Sequence, residues 1–323
     1  MILYQAPLEG ISGYIYRNAI NDIFGGVDKY FAPFICPYEK RIITDKEIRQ
    51  LKPQNNRNIK LVPQIMTTDA KAFKELTKRL HEDFGYEEFD LNMGCPSQTV
   101  VSKGRGAGFL ADPLKLDDFL QDIFEDNSFK ISVKTRLGMK DKEEFIKLLE
   151  IYNKYPLCEL IVHPRVREEF YKGEPHYDSF EYALNNSRNR LVYNGNIGPC
   201  AAEIHKNGPL QGILERAVKE EMPLMIGRGM VANPAIYRQL KGGAAASKEE
   251  LRAFLNRLKE DYSEAFYGEK PVLYKLKETW AFMGPYYEQY YELPHKLCKK
   301  VMKAGRISEY NAIENEIFTV LDL

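Results

Sequence analysis

This chain has no excess of either charge: its 323 residues carry 46 Lys+Arg against 46 Asp+Glu. A neutral total excludes a protein held to its partner by bulk charge, although a local basic face would still engage phosphates. Cysteine is sparse as well. The five cysteines (Cys36, Cys95, Cys158, Cys200, Cys298) are odd in number and far apart, with no CxxC pair. That excludes a zinc site of paired cysteines and a disulfide framework, and it suits a reducing compartment. No apolar run approaches the roughly 20 residues that span a bilayer. The opening stretch, MILYQAPLEGISGY, has no basic segment leading into a long apolar one, so no signal peptide is expected. These absences predict a cytoplasmic protein with no membrane and no metal; oligomeric state is not legible in the sequence, and a monomer is taken as the default.

Hydrophobic residues make up 44% of the chain, enough for a large core. Domains seldom exceed about 250–300 residues before a second core appears, so one large domain plus a small one is expected. Short apolar runs recur at 2–6, 29–35, 60–65, 87–93, 130–135, 158–163, 190–194 and 222–227. Several are separated by amphipathic stretches. DAKAFKELTKRLHEDF puts Ala70, Phe73, Leu76, Thr77 and Leu80 on one face, and KDKEEFIKLLEIYNKY does the same with Phe145, Leu148, Leu149 and Tyr152. Strand alternating with helix implies parallel strands and crossover helices. Eight such units match the (β/α)8 TIM barrel, an α/β fold. A doubly wound sheet is the alternative, and the absence of GxGxxG after the first strand counts against its nucleotide-binding form.

Past residue 240 the character changes. KGGAAASKEEL reads as a small-residue linker ending in a capping box, Ser247 with Glu250 three residues on. The rest of the chain is helical in pattern throughout. The expected division is a barrel over 1–240 and a small all-helical domain over 241–323.

The polar residues fall at the strand ends: Pro7, Leu8 and Glu9 after the first, Gln64 near the end of the third, Asn92 and Cys95 after the fourth. Lys134 and Arg136 end the fifth, His163 and Arg165 the sixth, Asn194, Gly195 and Asn196 the seventh, Gly227 and Arg228 the eighth. In a barrel these termini converge on one rim, where active sites are built. YNGNIG and IGRGM, after the last two strands, suit a phosphate: glycines let backbone N–H groups close on an anion, and Arg228 adds a charged fork. Two ordinary glycine turns would read the same way. Lys134, at the mouth of an apolar strand, must be solvated or paired. In PHKLCKKVMKAGR, Lys296, Lys299, Lys300 and Lys303 share one helical face with no acid among them. That pattern fits phosphate binding, or simply a solvated face.

The segments APLEGISGYIYR, VPQIM, LNMGCPSQTVVSKGRGAGFL, VKTRLG, VHPR, YNGNIG and MIGRGMVANPAIY together resemble the tRNA-dihydrouridine synthase family, in its order, from residue 5 to about 238. The NxGCP element with its downstream glycines is the specific part. The resemblance implies an FMN enzyme that uses NADPH to reduce the C5=C6 bond of uridine in tRNA. It implies that Pro7, Leu8 and Glu9 line the flavin, that Gln64 and Lys134 hold its ring with His163 nearby, and that Asn194, Gly195, Asn196, Gly227 and Arg228 take its phosphate. Cys95 would be the proton donor and Asn92 would face the uracil. Lys103, Arg136, Arg165 and the four tail lysines would contact the RNA substrate. The chain departs from the family pattern at Leu8 (often Met), Gly13 (usually acidic), Pro164 (Gly in HGR) and Asn196 (often Asp). An FMN barrel acting on a free pyrimidine, similar to dihydroorotate dehydrogenase, is the nearest rival; a flavin-bearing RNA chaperone without catalysis is a second.

Overall fold

The computed structural model describes residues 1–38, 41–201 and 208–322. All nine of its assigned strands pair in parallel: β1 Leu3–Gln5, β2 Lys29–Phe31, β3 Leu61–Val62, β4 Gln64–Ile65, β5 Glu88–Met93, β6 Lys130–Arg136, β7 Glu159–His163, β8 Leu191–Tyr193 and β9 Leu224–Ile226. Their spatial order is β3-β2-β1-β9-β8-β7-β6-β5-β4. The two ends of that order, β3 and β4, are halves of one stretch of chain split at Pro63. Proline has no N–H to give a ladder, so one strand reads as two. Taken as one, they leave eight strands closed on themselves, the TIM barrel expected from the alternating pattern.

Each expected strand is present, several of them trimmed at their ends and one cut short by a proline. The run 29–35 ends as a strand at Phe31, because Pro33 interrupts it; pairing resumes only at the isolated bridge between Ile35 and Ile65. The helix Ala70–Phe84 buries Ala72, Phe73, Leu76, Thr77 and Leu80, the expected stripe with Ala72 in place of half-buried Ala70. The core divides by strand parity. Outward-facing residues such as Leu3, Leu91, Val133, Leu160 and Leu224 join the helices in one large cluster, while Tyr4, Ala6, Phe31, Val62, Ile161, Val192 and Met225 fill the barrel interior. At the N-terminal end of the barrel the buried Lys29 bonds Glu88 at 2.6 Å and Glu159 at 2.9 Å, and the Tyr4 hydroxyl donates to Glu159 at 2.5 Å.

Four long or medium helices complete the chain: Lys248–Ala265, Glu269–Tyr290, His295–Lys303 and Ile307–Val320. The capping box at Ser247 forms as the sequence suggests, with Glu250 N–H donating to Ser247 Oγ at 3.2 Å and Ser247 N–H to Glu250 Oε2 at 2.9 Å. Arg238 forks onto the same Glu250 at 2.7 and 2.8 Å, tying the end of the barrel sequence to the first tail helix. Phe254 packs edge-on against Tyr16 and Phe24, with centroids 5.6 and 5.4 Å apart. One apolar cluster therefore runs across residue 240. Among the described residues, no helix is long and apolar enough to cross a membrane.

Candidate active site

Strand parity decides which side chains enter the barrel mouth. The pairing sets Gln64 against Asp90, Asp90 against Ser132, Asn92 against Lys134 and Arg136 against His163. Because alternate residues share a face, Asp90 and Asn92 point inward with Ser132, Lys134 and Arg136. The C-terminal part of the interior is thus polar, as is the Lys29–Glu88–Glu159 group at the N-terminal end, with apolar side chains such as Phe31, Val62, Ile161, Val192 and Met225 in the rest. Above it opens a cavity of about 630 Å³. Fourteen of the sequence-expected residues line it: Pro7, Leu8, Glu9, Asn92, Cys95, Lys134, Arg136, His163, Arg165, Asn194, Gly195, Asn196, Gly227 and Arg228.

A chain of hydrogen bonds runs from the barrel interior to the backbone of Cys95. Asp90, fully buried, accepts from Ser132 Oγ at 2.7 Å and from Gln64 Nε2 at 2.6 Å. Gln64 Oε1 in turn accepts from Asn92 Nδ2 at 2.8 Å. Asn92 Oδ1 then accepts the backbone N–H groups of Gly94 at 3.1 Å and Cys95 at 3.0 Å. The order of donors and acceptors is fixed end to end, since each amide must turn its NH2 toward the preceding oxygen. Burial raises the Asp90 carboxyl to about 7, opposed by the bonds from Gln64 and Ser132 and by Lys134.

The cysteine loop is more ordered than a bare flexible segment. Gln98–Val101 forms one helical turn and Gly106–Ala111 a short 3-10 segment. Ala107 N–H donates to Cys95 O at 3.0 Å. Gly106 sits at φ 55°, and a Cβ there would lie 2.9 Å from both Cys95 Cβ and Cys95 O, so the glycine is required by close approach to the thiol's own backbone. Burial raises the Cys95 thiol, which Arg136 and Lys134 partly offset.

Lys134 makes no side-chain hydrogen bond or ion pair among the described residues, and burial with the neighbouring Arg136 lowers it to about 8. His163 is held well below its ordinary value, first by burial and then by Arg136, Lys134, Arg165 and Arg228. Its Nε2 lies 3.0 Å from Arg165 Nη1. Arginine only donates, so Nε2 accepts and the neutral ring carries its proton on Nδ1.

The two inner arginines hold the loop after β7. Arg136 donates to the carbonyls of Gly94, Val166 and Phe170 at 2.9, 3.0 and 2.7 Å. Arg165 donates to those of Lys172 and Gly173 at 3.2 and 2.6 Å and to Asn196 Oδ1 at 2.7 Å. Asn196 adopts a left-handed φ of 40°, which Asn tolerates better than most residues, and its amide also reaches Glu174 at 3.3 Å. Arg228 differs: exposed at the start of the short helix Arg228–Ala232, it makes no side-chain hydrogen bond among the described residues and lies 4.4 Å over the Tyr171 ring.

Six expected site residues lie off the cavity wall. Gln64 is fully buried beneath it, each end of its amide already bonded. Lys103 is exposed on the turn after residue 101. Lys296, Lys299, Lys300 and Lys303 are exposed on the helix His295–Lys303, whose Leu297, Cys298 and Val301 face inward. The expectation that no acid compensates this row needs correction at one position: Lys300 bonds Glu316 of the next helix at 2.8 Å, an acid that spacing within the helix could not reveal.

Sequence reading missed Asp90, Tyr171, Phe34 and a wall from the tail, Ala281, Phe282 and Pro285. Asp90 had a signal, an acid between Phe89 and Leu91 on the same strand face as Asn92. Tyr171 had none; it lies in an aperiodic loop and is gathered to His163, Arg136 and Arg228 only by folding. Among the described residues, no group of three or more His, Cys, Asp or Glu is placed to hold a metal ion.

Fold and cavity together define a (β/α)8-barrel protein with its site at the C-terminal rim. Within that class the chain belongs to the dihydrouridine synthase family, whose model, described as Dihydrouridine synthase (Dus), matches residues 5–282. It is similar to a probable tRNA-dihydrouridine synthase of Staphylococcus epidermidis, 27% identical over 247 residues, covering 72% of this chain and 70% of that protein. It is also similar to tRNA-dihydrouridine synthase B of Proteus vulgaris, 26% identical over 243 residues with 74% and 70% covered. Among solved structures, a probable tagatose 6 phosphate kinase from Sinorhizobium meliloti 1021 overlays 99% of each chain at a TM-score of 0.42 and 10% identity, below the likeness of a shared fold.

Proposed function

We propose that this protein is an FMN-dependent tRNA-dihydrouridine synthase, reducing the C5=C6 bond of uridines in tRNA with NADPH as electron donor and Cys95 as proton donor. The observation that carries the reading is the meeting, in one cavity, of a thiol of raised pKa and a lysine with no ion pair among the described residues, in a chain of the dihydrouridine synthase family.

The residues present fit a flavin mononucleotide. A cavity of about 630 Å³ lies within the usual range of about 300–1,000 Å³ for cofactor sites. Lys134 and Arg228 offer positive charge that forms no ion pair among the described residues, with Asp90 acting on Lys134 only at longer range. At Gly227 an added Cβ would make only ordinary contact with Ala6 at 3.6 Å and Leu8 at 3.7 Å, so packing within the chain does not itself demand the glycine. In this reading Gly227, Arg228, Asn194, Gly195 and Asn196 hold the phosphate end, Pro7, Leu8 and Glu9 the ring face, and Lys134 the pyrimidine edge with His163 beside it, while Gln64, buried beneath the cavity with both ends of its amide bonded, acts by orienting Asn92. When bound, FMN supplies the hydride that uracil receives at C6.

The protein's own part is the proton. A carbon acid at C5 needs a donor on the opposite side of the ring, and a thiol of raised pKa stays protonated at neutral pH. Cys95 Sγ is such a donor, held by the Asn92 turn. Asn92 in this reading also faces the uracil. Arg136 and Arg165 act chiefly by holding the loop that carries Val166 to Gly173, and Lys103 meets the RNA outside the cavity. Residues 1–240 form the catalytic unit and 241–323 the tRNA-binding unit of a cytoplasmic monomer, with Lys296, Lys299 and Lys303 toward phosphates.

The test is anaerobic. Protein reduced with NADPH is mixed with tRNA lacking dihydrouridine and the flavin absorbance is followed. Fast reoxidation by tRNA and none by orotate is expected. Fast reoxidation by a free pyrimidine alone would transfer the chain to the metabolic reductases.

A further inference from the structure

A second cavity, of about 710 Å³, opens beside the first and shares Glu9 and Phe34 with it. Its walls come from the loop after β1, the loop after β2, the segment around the helix Asp45–Leu51, and the tail helices near Tyr262–Phe266 and Pro271–Lys275. None of the chemistry assigned above uses it apart from the shared Glu9.

Its lining combines two kinds of group. Tyr14, Tyr262, Phe266 and Tyr274 supply ring faces; Tyr262 and Phe266 stack at 5.7 Å, while Tyr274 is 61% exposed. Arg41, Lys46, Arg49 and Lys275 supply positive charge against the acids Glu9 and Glu47. Glu47 is already committed to the capping box with Thr44, and Lys275 is paired with Glu278 at 2.6 Å. Lys46 and Arg49 are exposed and make no side-chain hydrogen bond or ion pair among the described residues. Gln50 adds a polar marker. Its Oε1 accepts the Tyr14 N–H at 2.9 Å, which fixes the amide and leaves the Nε2 hydrogens available to an acceptor. One exposed ring, Tyr274, over a floor of buried and half-buried rings, beside unpaired cations and one oriented amide donor, forms a place for a base and its phosphate.

We propose that this second cavity binds a nucleotide of the RNA substrate adjacent to the uridine that enters the first. The inference rests on the function proposed above. Taking a uridine out of its stack costs stacking on its neighbours as well, and a ring face one wall away from the first cavity offsets that loss for the flanking base. Charge and position both favour a nucleotide of the same strand over an independent ligand, because the shared Glu9–Phe34 wall places the two cavities side by side on one rim.

The test uses the flavin-loaded full chain, with fluorescein-labelled unmodified tRNA transcript as probe. Tyr274→Ala should weaken tRNA binding about tenfold without changing its salt dependence, since it removes an uncharged stacking face for one base. Tyr274→Phe should restore it. Lys46→Glu with Arg49→Glu should weaken binding and flatten its dependence on salt by roughly one unit of slope per charge. NADPH-driven flavin reduction should be unchanged in all three. Every altered side chain is exposed, so the variants should fold. Unchanged tRNA affinity in both Tyr274→Ala and the double variant, with a working wild type, would overturn this proposal alone. So would a raised KM for NADPH at intact tRNA affinity, which would hand the cavity to the reductant. A wild type that neither binds nor reduces tRNA would overturn both readings.

Discussion

Gln64 Nε2 donates to Asp90 at 2.6 Å across two neighbouring strands, and both residues are fully buried. The direction of the whole chain is set at its other end. Backbone N–H groups only donate, so Asn92 must show its oxygen to the cysteine turn and its NH2 to Gln64, which leaves the Gln64 NH2 for Asp90.

Replacing Asp90 with Asn tests the electrostatic side of that arrangement. The folded carboxyl, at about 7, lies above its unfolded value of about 3.9, so the folded state binds more protons between those pH values. Wild-type stability should therefore fall as pH rises from about 4 to about 7, by up to about 1.4 kcal/mol per unit, and this term should flatten above 7. Denaturant unfolding of both proteins across pH 4–8 should show the variant gaining on the wild type over that window. A constant difference would assign Asp90 a different ionisation.

Cys95→Ala should leave flavin binding and NADPH oxidation intact while dihydrouridine formation falls by about 10²–10⁴-fold, the usual range for a lost general acid. Product analysis of treated tRNA beside a stopped-flow trace of flavin reduction separates the two. Wild-type turnover would remove the thiol from the chemistry.

The lysine at the cavity wall should make anion binding depend on pH. In the free protein Lys134 loses its proton near 8, so FMN affinity of the apoprotein should fall as pH rises through that value and beyond. Lys134→Met should bind FMN more weakly at pH 7 and lack that decline, as followed by flavin fluorescence quenching.

On the tail helix, Lys299→Glu with Lys303→Glu should raise the KM for tRNA several-fold and reduce its salt slope by about one unit per lysine lost. Lys300→Glu should have a smaller effect on RNA, because this lysine is already bonded to Glu316, and should cost a little stability through repulsion. Steady-state assays at two salt concentrations distinguish them.

The barrel was legible in the sequence because it rests on local pattern. Eight β-branched runs with amphipathic helices between them leave few other folds, and the strand ends carried their polar residues in plain view. Strand three shows the limit. Pro63 was visible, yet only the ladder shows that it divides the strand just before Gln64.

Sequence by itself determined the strand count, the capping box at Ser247, the cysteine loop with its glycines, and the rim residues from Pro7 to Arg228, since each depends on neighbours in the chain. Only the tertiary structure decided what those residues meet. Asp90 reaches Cys95 through Gln64, a partner 26 positions away in sequence. Arg136 and Arg165 turn out to brace a loop, Lys300 finds Glu316, and Ala281 to Pro285 of the tail close the cavity wall. These are long-range contacts, set by strand register and helix packing, and no period in the chain encodes them.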